Sequence, residues 1–302
     1  MWLSLAFLSA TLLGFYDVFK KVSLDKNAVI PVLFLNTVFC SLIFLPVILA
    51  SRFWPETMRE TIFFVPQADL QTHLLIILKS FIVLSSWICA YFALKNLPIT
   101  IASPIKASQP ILTLVGAIWI FGERLNPYQW AGVALSLLGF WMLSISGKKE
   151  GIRFGRNKWI WCIVLATITG AVSGLYDKFL MQRLMLDRMT VQAWYTFYQV
   201  VMMGAMMLLI WYPKRKSTAP FTWRWSIPLI SIFLVCADFA YFFALSDQDA
   251  LISVVSLIRR SGVIVSFTAG WLFFREKNIK AKAFDLLLVL IAMIFLYLGS
   301  RA

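Results

Sequence analysis

Hydrophobic residues along the chain are gathered into long runs that polar or proline-containing stretches interrupt. Each run is about twenty residues long, the length that an α-helix needs to cross a hydrocarbon core of roughly 30 Å. Short polar segments ending in proline, such as 95–98 and 123–127, supply the breaks. The pattern predicts an all-α, polytopic membrane protein of ten transmembrane helices, at 2–19, 28–50, 72–94, 99–121, 128–146, 159–181, 191–212, 226–245, 250–273 and 283–300.

The composition agrees with membrane residence. Hydrophobic residues make up 61% of the chain, charged residues 14%, and the mean hydropathy is +0.81, whereas soluble domains are about half apolar and a quarter charged. The net charge of +14 does not indicate a nucleic-acid partner, because the basic residues form short clusters between apolar runs. The four cysteines lie inside apolar runs without CxxC spacing, so no metal site, disulfide framework or cofactor is expected.

The positions of lysine and arginine predict an orientation. Connections after the odd-numbered spans hold 17 of these residues, and the opposite side holds 6. The positive-inside rule therefore places both termini outside. The first run contains Asp17, Lys20 and Lys21 and has no A-x-A cleavage site, so we interpret it as a span rather than a signal peptide. The expected location is the plasma (inner) membrane.

The second half of the chain repeats the first. Residues 14–19 (GFYDVF) reappear as 174–179 (GLYDKF), and residues 91–94 (YFAL) have a counterpart at 241–245 (YFFAL). A repeat of five spans has an odd number of crossings, so the second copy enters the membrane from the opposite face, as in many secondary transporters. The sequence predicts two inverted five-helix repeats, 1–147 and 159–302, joined by a basic linker, 148–158.

Span four ends in Gly122, Glu123 and Arg124, and a related Arg275-Glu276-Lys277 ends span nine. With ten spans in two repeats, this pattern resembles the drug/metabolite transporter superfamily, EamA type. The resemblance implies a central cavity that spans three, four, eight and nine line and that opens alternately to each side. Members of the superfamily more often have both termini in the cytoplasm. The charge count indicates the reverse, so the orientation stays open.

Three basic residues lie deep inside predicted spans. Lys106 lies about 11 Å into span four, and Arg259 and Arg260 lie roughly 14–15 Å into span nine at 1.5 Å per residue. Aligning Glu123 with Glu276 places Lys106 opposite Arg259. Cations at this depth face a cavity or a counter-ion. The chain also resembles the organophosphate branch of this superfamily, whose members have a lysine on span four and a basic pair on span nine. This resemblance implies an anionic substrate.

Internal carboxylates are the alternative counter-ions. Asp17, Asp177 and Asp238 could form structural ion pairs with the buried cations, and the sequence leaves both interpretations open. Asp17 and Asp177 occupy equivalent places, each one residue after a tyrosine, so they are also candidates to exchange a proton and couple transport to a gradient. Pairing with nearby lysines at the headgroup level is the alternative. Lys79 is interpreted as a snorkelling residue near a span end.

The function that this set predicts is a secondary transporter of a small, anionic, organic metabolite, because no Walker A loop supplies ATP chemistry. An exporter or permease for neutral or amphiphilic compounds, such as amino acids or drugs, is the alternative. A sensor or a membrane-embedded enzyme fits less well, since the chain has one histidine, His73, and one D-x-D, at 247–249. The expected partners are the substrate and the lipid bilayer, with a homodimer left open. The candidate substrate-binding residues are Lys106, Arg259, Arg260, Gln109, Trp87, Asp238 and Tyr241.

Overall fold

A computed structural model gives the architecture of the chain. It describes residues 2–121, 126–128, 130–132, 134–135, 138–139, 142, 154–216, 219–247, 250, 252–274 and 279–299. Within these ranges every regular element is helical. Six helices are long and apolar enough to cross a membrane: Val29–Phe53, Leu70–Asn96, Ile99–Ile120, Lys158–Arg183, Arg188–Trp211 and Ser226–Leu245. The all-α prediction is confirmed for the described residues, while ten spanning helices stay a prediction.

The helices of the first half follow the predicted spans. Asp69 caps the helix Leu70–Asn96, where its carboxylate accepts a hydrogen bond from the backbone N–H of Thr72 at 3.0 Å, a common helix N-cap. Most of the predicted fifth span, 128–146, and the Gly-Glu-Arg segment, 122–124, lie outside the described residues. The helices are α1 (Trp2–Leu24), α2 (Val29–Phe53), α3 (Pro55–Arg59), α4 (Leu70–Asn96), α5 (Ile99–Ala107) and α6 (Gln109–Phe121).

The second half repeats this order of long helices and one broken span. Two of its helices continue into a π-helical turn, Phe179–Arg183 and Met207–Trp211. Residues 275–277, which carry the second copy of the Gly-Glu-Arg pattern, lie outside the described ranges. The helices are α7 (Lys158–Lys178), α8 (Arg188–Met206), α9 (Ser226–Leu245), α10 (Ile252–Arg260), α11 (Val263–Leu272) and α12 (Ile279–Gly299).

Spans four and nine are each broken in the middle. Span four breaks at Ser108, beside Lys106, between Pro104 and Pro110, which fits the rule that proline interrupts a helix. Span nine breaks at Ser261 and Gly262. The Ser108 hydroxyl donates to the Ile105 carbonyl and the Ser261 hydroxyl to the Ile258 carbonyl, both at 2.7 Å. The two breaks therefore share one local geometry.

The helices pack in pairs that connect the two halves. Helix α1 packs on α9, α4 on α7, and α2 on α8. Helix α2 also contacts α9, and α4 contacts α8; α6 contacts α7, and α11 contacts α1. Exchanging the equivalent helices of the two halves leaves the α2–α8 pair unchanged and converts each of the other pairs into another member of the set. A two-fold relation between the halves requires this exchange, while the inverted orientation of the repeats stays a prediction.

The two ends of the helices define two sides of the molecule. Helices α1 and α4 and the π-helical turn that continues α8 end on one side, which we call the basic side because its connections include Lys26 and the cluster 214–216. Helices α2, α7 and α9 run the other way and end on the opposite side. Helix α5 begins on the basic side, and α10 begins on the opposite side.

Two glycines let α1 approach the break in span nine. A Cβ added at Gly262 would lie 2.3 Å from the Ala10 carbonyl oxygen, and one at Gly14 would lie 2.5 Å from the Val265 Cβ. Close approach of backbones through small residues is a common way to pack membrane helices. Ala10 and Gly14, one helical turn apart on α1, form such a small-residue face.

We expect Gly262→Ala to destabilise the fold by about 1–3 kcal/mol, because the new methyl group meets backbone that cannot rotate away. Unfolding in a titration with sodium dodecyl sulfate measures the change. Gly204→Ala is the matched control, since its Cβ would meet only Phe34, at 3.6 Å. Equal unfolding midpoints for the two variants would contradict the close α1 contact.

Candidate functional site

Two cavities lie between the halves of the molecule. The larger, which we call the central cavity, has an empty volume of about 850 Å³ including its open part. The smaller, which we call the basic-side cavity, has about 330 Å³. Asp17, Ser103 and Gly262 line the smaller one and lie closer to the basic side than Gln109 and Ile252, which line the larger one. The two cavities therefore follow one another across the molecule.

Three cations and one leucine line both cavities. Lys106, Arg259, Arg260 and Leu13 appear in the wall of each. The two breaks place these cations, because Lys106 ends α5 and the two arginines end α10. Basic side chains at helix C-termini are also favoured by the helix dipole. An anion bound to these cations can thus be reached from either cavity.

Some of the cations at the site form ion pairs with carboxylates of the protein. Arg259 Nη2 donates to Asp238 Oδ1 at 2.6 Å, and Tyr195 donates to the other oxygen of that carboxylate at 2.7 Å. Lys20, which is 1% exposed, donates to Asp17 at 2.5 Å. The internal pairing that the sequence left open is therefore present for Arg259, although its side chain also faces the cavities.

The fourth intramembrane cation is buried rather than snorkelling. Lys79 is 2% exposed and donates to Asp177, and its ammonium lies 5.0 Å from the ring centres of Tyr195 and Phe242. The Tyr241 hydroxyl donates to the second oxygen of Asp177 at 3.3 Å. The expectation that Lys79 reaches a span end was wrong, because a carboxylate and two aromatic faces stabilise its charge inside the bundle.

Lys106 and Arg260 are less fully paired. Lys106 lies 3.8 Å from the Asp17 carboxylate, too far for a hydrogen bond, and Asp17 is already bound by Lys20. Among the described residues, Arg260 has no carboxylate within 4.0 Å, and its buried Nε has no hydrogen-bond partner. Both side chains therefore have donors available to a bound anion.

Gln109 extends into the central cavity at the first turn of α6. It is 6% exposed, and its amide has no hydrogen-bond partner among the residues that the structure describes. Gly170 makes room for it, since a Cβ at Gly170 would lie 2.6 Å from Gln109 Oε1. The amide faces the central cavity, so a solute there can form a hydrogen bond with it and gain affinity.

We expect Gly170→Ala to weaken solute binding about tenfold with little change in stability, because the new methyl group displaces only the mobile end of Gln109. A neutral hydrogen bond contributes about 0.5–1.5 kcal/mol, close to one factor of ten at its upper end. Ligand titration of the purified protein measures the affinity. Gly174→Ala is the control for lost cavity volume, because Gly174 also lines the central cavity one helical turn away and a Cβ there would meet nothing within 4 Å. If both variants bound ligand equally well, Gln109 would have no role in recognition.

The structure brings the predicted site residues to one region. The central cavity is lined by Lys106, Arg259, Arg260, Gln109, Trp87, Asp238, Tyr241 and Asp177. Asp17 lies instead on the basic-side cavity. Sequence reasoning missed the aromatic residues Tyr16 and Tyr195 and the hydroxyls of Ser86, Ser173 and Ser256, which also line the central cavity.

Comparisons with known proteins indicate a family for the first half of the chain. The model of the EamA-like transporter family matches residues 1–145. The first 145 residues are therefore similar to the EamA-like transporter family. Comparison with curated protein sequences finds no match. One solved crystal structure, 15% identical in sequence, superposes with a TM-score of 0.61 and covers 97% of this chain and 98% of its own. At that identity the likeness shows the fold alone, and it covers both halves of the chain.

Membrane residence follows from the family together with the helices. The family is one of transporters, and six described helices have the length and composition of membrane spans. The chain is therefore an integral, multi-pass membrane protein, and its first 145 residues resemble a transporter family.

Proposed function

We propose that the protein is a secondary transporter that moves a small organic anion across a membrane by alternating access. The observation that carries the proposal is the charge of the site. Asp17, Asp177 and Asp238 face five buried or half-buried cations, Lys20, Lys79, Lys106, Arg259 and Arg260. Two positive charges inside a lipid-embedded bundle thus lack an internal counter-ion among the described residues. A substrate anion would balance them.

The chemistry of the two incompletely paired cations favours a phosphate or a carboxylate. A guanidinium matches such a group with two parallel N–H donors, and an ammonium adds a point charge. Gln109 and the hydroxyls of Ser86 and Ser173 would bind polar groups elsewhere on the solute. The substrate class that fits is a phosphorylated or carboxylated metabolite with further hydrogen-bonding groups.

Alternating access is supported by the arrangement of the two cavities. Both contact the same three cations, and they lie towards opposite sides of the molecule. The exchange of helix pairs between the halves fits two inverted repeats, residues 1–147 and 159–302, that rock against each other. Asp17, with Lys20 at 2.5 Å and Lys106 at 3.8 Å, would change partners when an anion binds Lys106. We infer that Asp17 or Asp177 carries a proton and so couples transport to a proton gradient.

A permease for neutral or cationic compounds is the second candidate. Trp87 and the aromatic rings around Lys79 favour it, because such rings also bind apolar and cationic solutes. The excess positive charge opposes it, since a cation would add to that excess. We also infer that the protein is not an enzyme and that it resides in the plasma (inner) membrane, with a homodimer left open.

A screen followed by counterflow tests the proposal. The purified protein is heated with a library of phosphorylated, carboxylated, neutral and cationic metabolites, because a ligand that binds only the native form raises the apparent stability. The compound with the largest shift is then labelled and exchanged in proteoliposomes. We expect the best compounds to be anions and the solute to cross unchanged. Hits confined to neutral or cationic compounds would contradict the anion site, and a modified solute would indicate an enzyme.

A further inference from the structure

A third cavity lies apart from the transport path, at the basic side of the molecule. It has an empty volume of about 480 Å³, and we call it the peripheral cavity. None of its lining residues lines either of the other two cavities. The cavity is lined by Lys21, Val22, Leu24, Asp25, Lys95, Arg224 and Phe274.

The cavity lies at the ends of apolar helices. Its walls come from the end of α1, the end of α4, the segment before α9 and the residues just after α11, where apolar spans meet polar connections. Trp223 and Trp225 lie beside Arg224 in sequence and are 47% and 80% exposed. Exposed tryptophans of this kind mark the interface between hydrocarbon and water.

Positive charge dominates the lining, with three cations and one carboxylate. Lys95 donates to the Asn27 carbonyl at 2.7 Å, which occupies one of its three N–H groups. Arg224 donates to the carbonyls of Val22 and Asp25 at 3.0 and 2.8 Å, and its guanidinium lies 3.7 Å from the Asp25 carboxylate, too far for a hydrogen bond. Three of its five N–H groups therefore have no hydrogen-bond partner among the described residues. Leu24 and Phe274 supply apolar wall beside these donors.

We propose that the peripheral cavity binds the phosphate of an anionic lipid headgroup. Cationic donors beside apolar wall at the membrane interface match a phosphate joined to glycerol and acyl chains, whereas a free anion would leave the apolar wall unused. The same cations already connect α1 to α4 and to the segment before α9, since Lys21 donates to the carbonyls of Leu94 and Leu97 at 2.8 and 2.7 Å. A bound lipid therefore strengthens the contacts that hold the basic-side ends of these helices together.

Thermal unfolding of the purified full chain tests the lipid site. The probes are short-chain phosphatidylglycerol, short-chain phosphatidylcholine and inorganic phosphate, each titrated into the same neutral detergent. We expect phosphatidylglycerol to raise the melting temperature with saturation, and the two other probes to have no effect. An equal shift with phosphatidylcholine would overturn the proposal. So would an equal shift with inorganic phosphate, which would indicate a site for free anions.

Variants locate the effect in the cavity. Lys95→Gln and Arg224→Gln are each expected to weaken phosphatidylglycerol binding about tenfold, as loss of one basic contact near a membrane surface implies. Lys26→Gln, in the same connection but exposed and outside the cavity lining, is expected to bind as the parent does. Arg260→Gln separates this site from the transport site and should leave the lipid shift unchanged. Retention of parent affinity by both cavity variants would overturn the proposal.

Discussion

Replacing Arg260 with glutamine is expected to reduce anion exchange about 30-fold or more while leaving the protein folded. The side chain lines both cavities, and no carboxylate among the described residues lies within 4.0 Å of it. Its removal therefore leaves no internal charge unpaired. Removing one partner of a buried charge pair between protein and ligand lowers the binding free energy by about 2–5 kcal/mol. The lower value corresponds to about 30-fold. Counterflow of the labelled anion in proteoliposomes measures it.

Matched variants separate charge from geometry. Arg260→Lys keeps the charge and loses the planar pair of donors, so partial activity would indicate two parallel bonds to one anion group. Lys106→Gln should resemble Arg260→Gln. Arg183→Gln removes an exposed cation outside the lining of both cavities and should exchange the anion normally. Normal exchange by Arg260→Gln and Lys106→Gln would contradict the anion site.

Arg259→Gln is a poorer test of the same site. Its guanidinium donates to Asp238 at 2.6 Å, so the substitution leaves a buried carboxylate with Tyr195 as its remaining donor. A loss of transport in that variant would combine a binding defect with a folding defect.

The Asp177→Asn substitution is expected to lower the free energy of unfolding by about 3–5 kcal/mol, because it leaves the ammonium of Lys79 buried without a carboxylate. Lys79 is 2% exposed, and Asp177 is 5% exposed. The Tyr241 hydroxyl can still donate to the new amide oxygen, so the lost charge accounts for the effect. Unfolding of the purified variant in a titration with sodium dodecyl sulfate gives the value.

A double variant is the control for this ion pair. Replacing both partners, as Lys79→Met with Asp177→Asn, removes the unpaired charge and should restore most of the lost stability. If the single and double variants unfolded at the same point, the pair would contribute little, and Asp177 would be free to carry a proton without affecting the fold.

Much of the fold could be predicted from the sequence because a membrane span needs a long apolar run. Helices α2, α4 and α9 begin and end within a few residues of the predicted spans. Pro104 and Pro110, on either side of Lys106, are the sequence signal for the break in span four. The break in span nine had no proline to indicate it, and it depends on Gly262 meeting the Ala10 carbonyl, a contact between residues far apart in the chain.

The site was predictable where its residues are unusual for a membrane span. A cation or carboxylate in lipid is costly, so Lys106, Arg259 and Asp238 were visible as candidates. The ion-pair partners of these residues could not be predicted, because the pairs Lys79–Asp177 and Arg259–Asp238 depend on how four helices pack. Tyr195 and Ser173 could not be identified as site residues from the sequence. Tyrosine and serine are common in membrane helices, and only their position in the cavity wall indicates a role.

The most direct test of alternating access is cysteine accessibility from each side of a sealed proteoliposome. Ser103→Cys would report on the basic-side cavity and Ser173→Cys on the central cavity, in a chain whose four native cysteines are replaced by alanine. Alternating access through one anion site predicts that an impermeant thiol reagent labels Ser103→Cys from the basic side and Ser173→Cys from the opposite side, and that the transported anion slows both reactions. Labelling of both positions from the same side, at rates that the anion does not change, would contradict it.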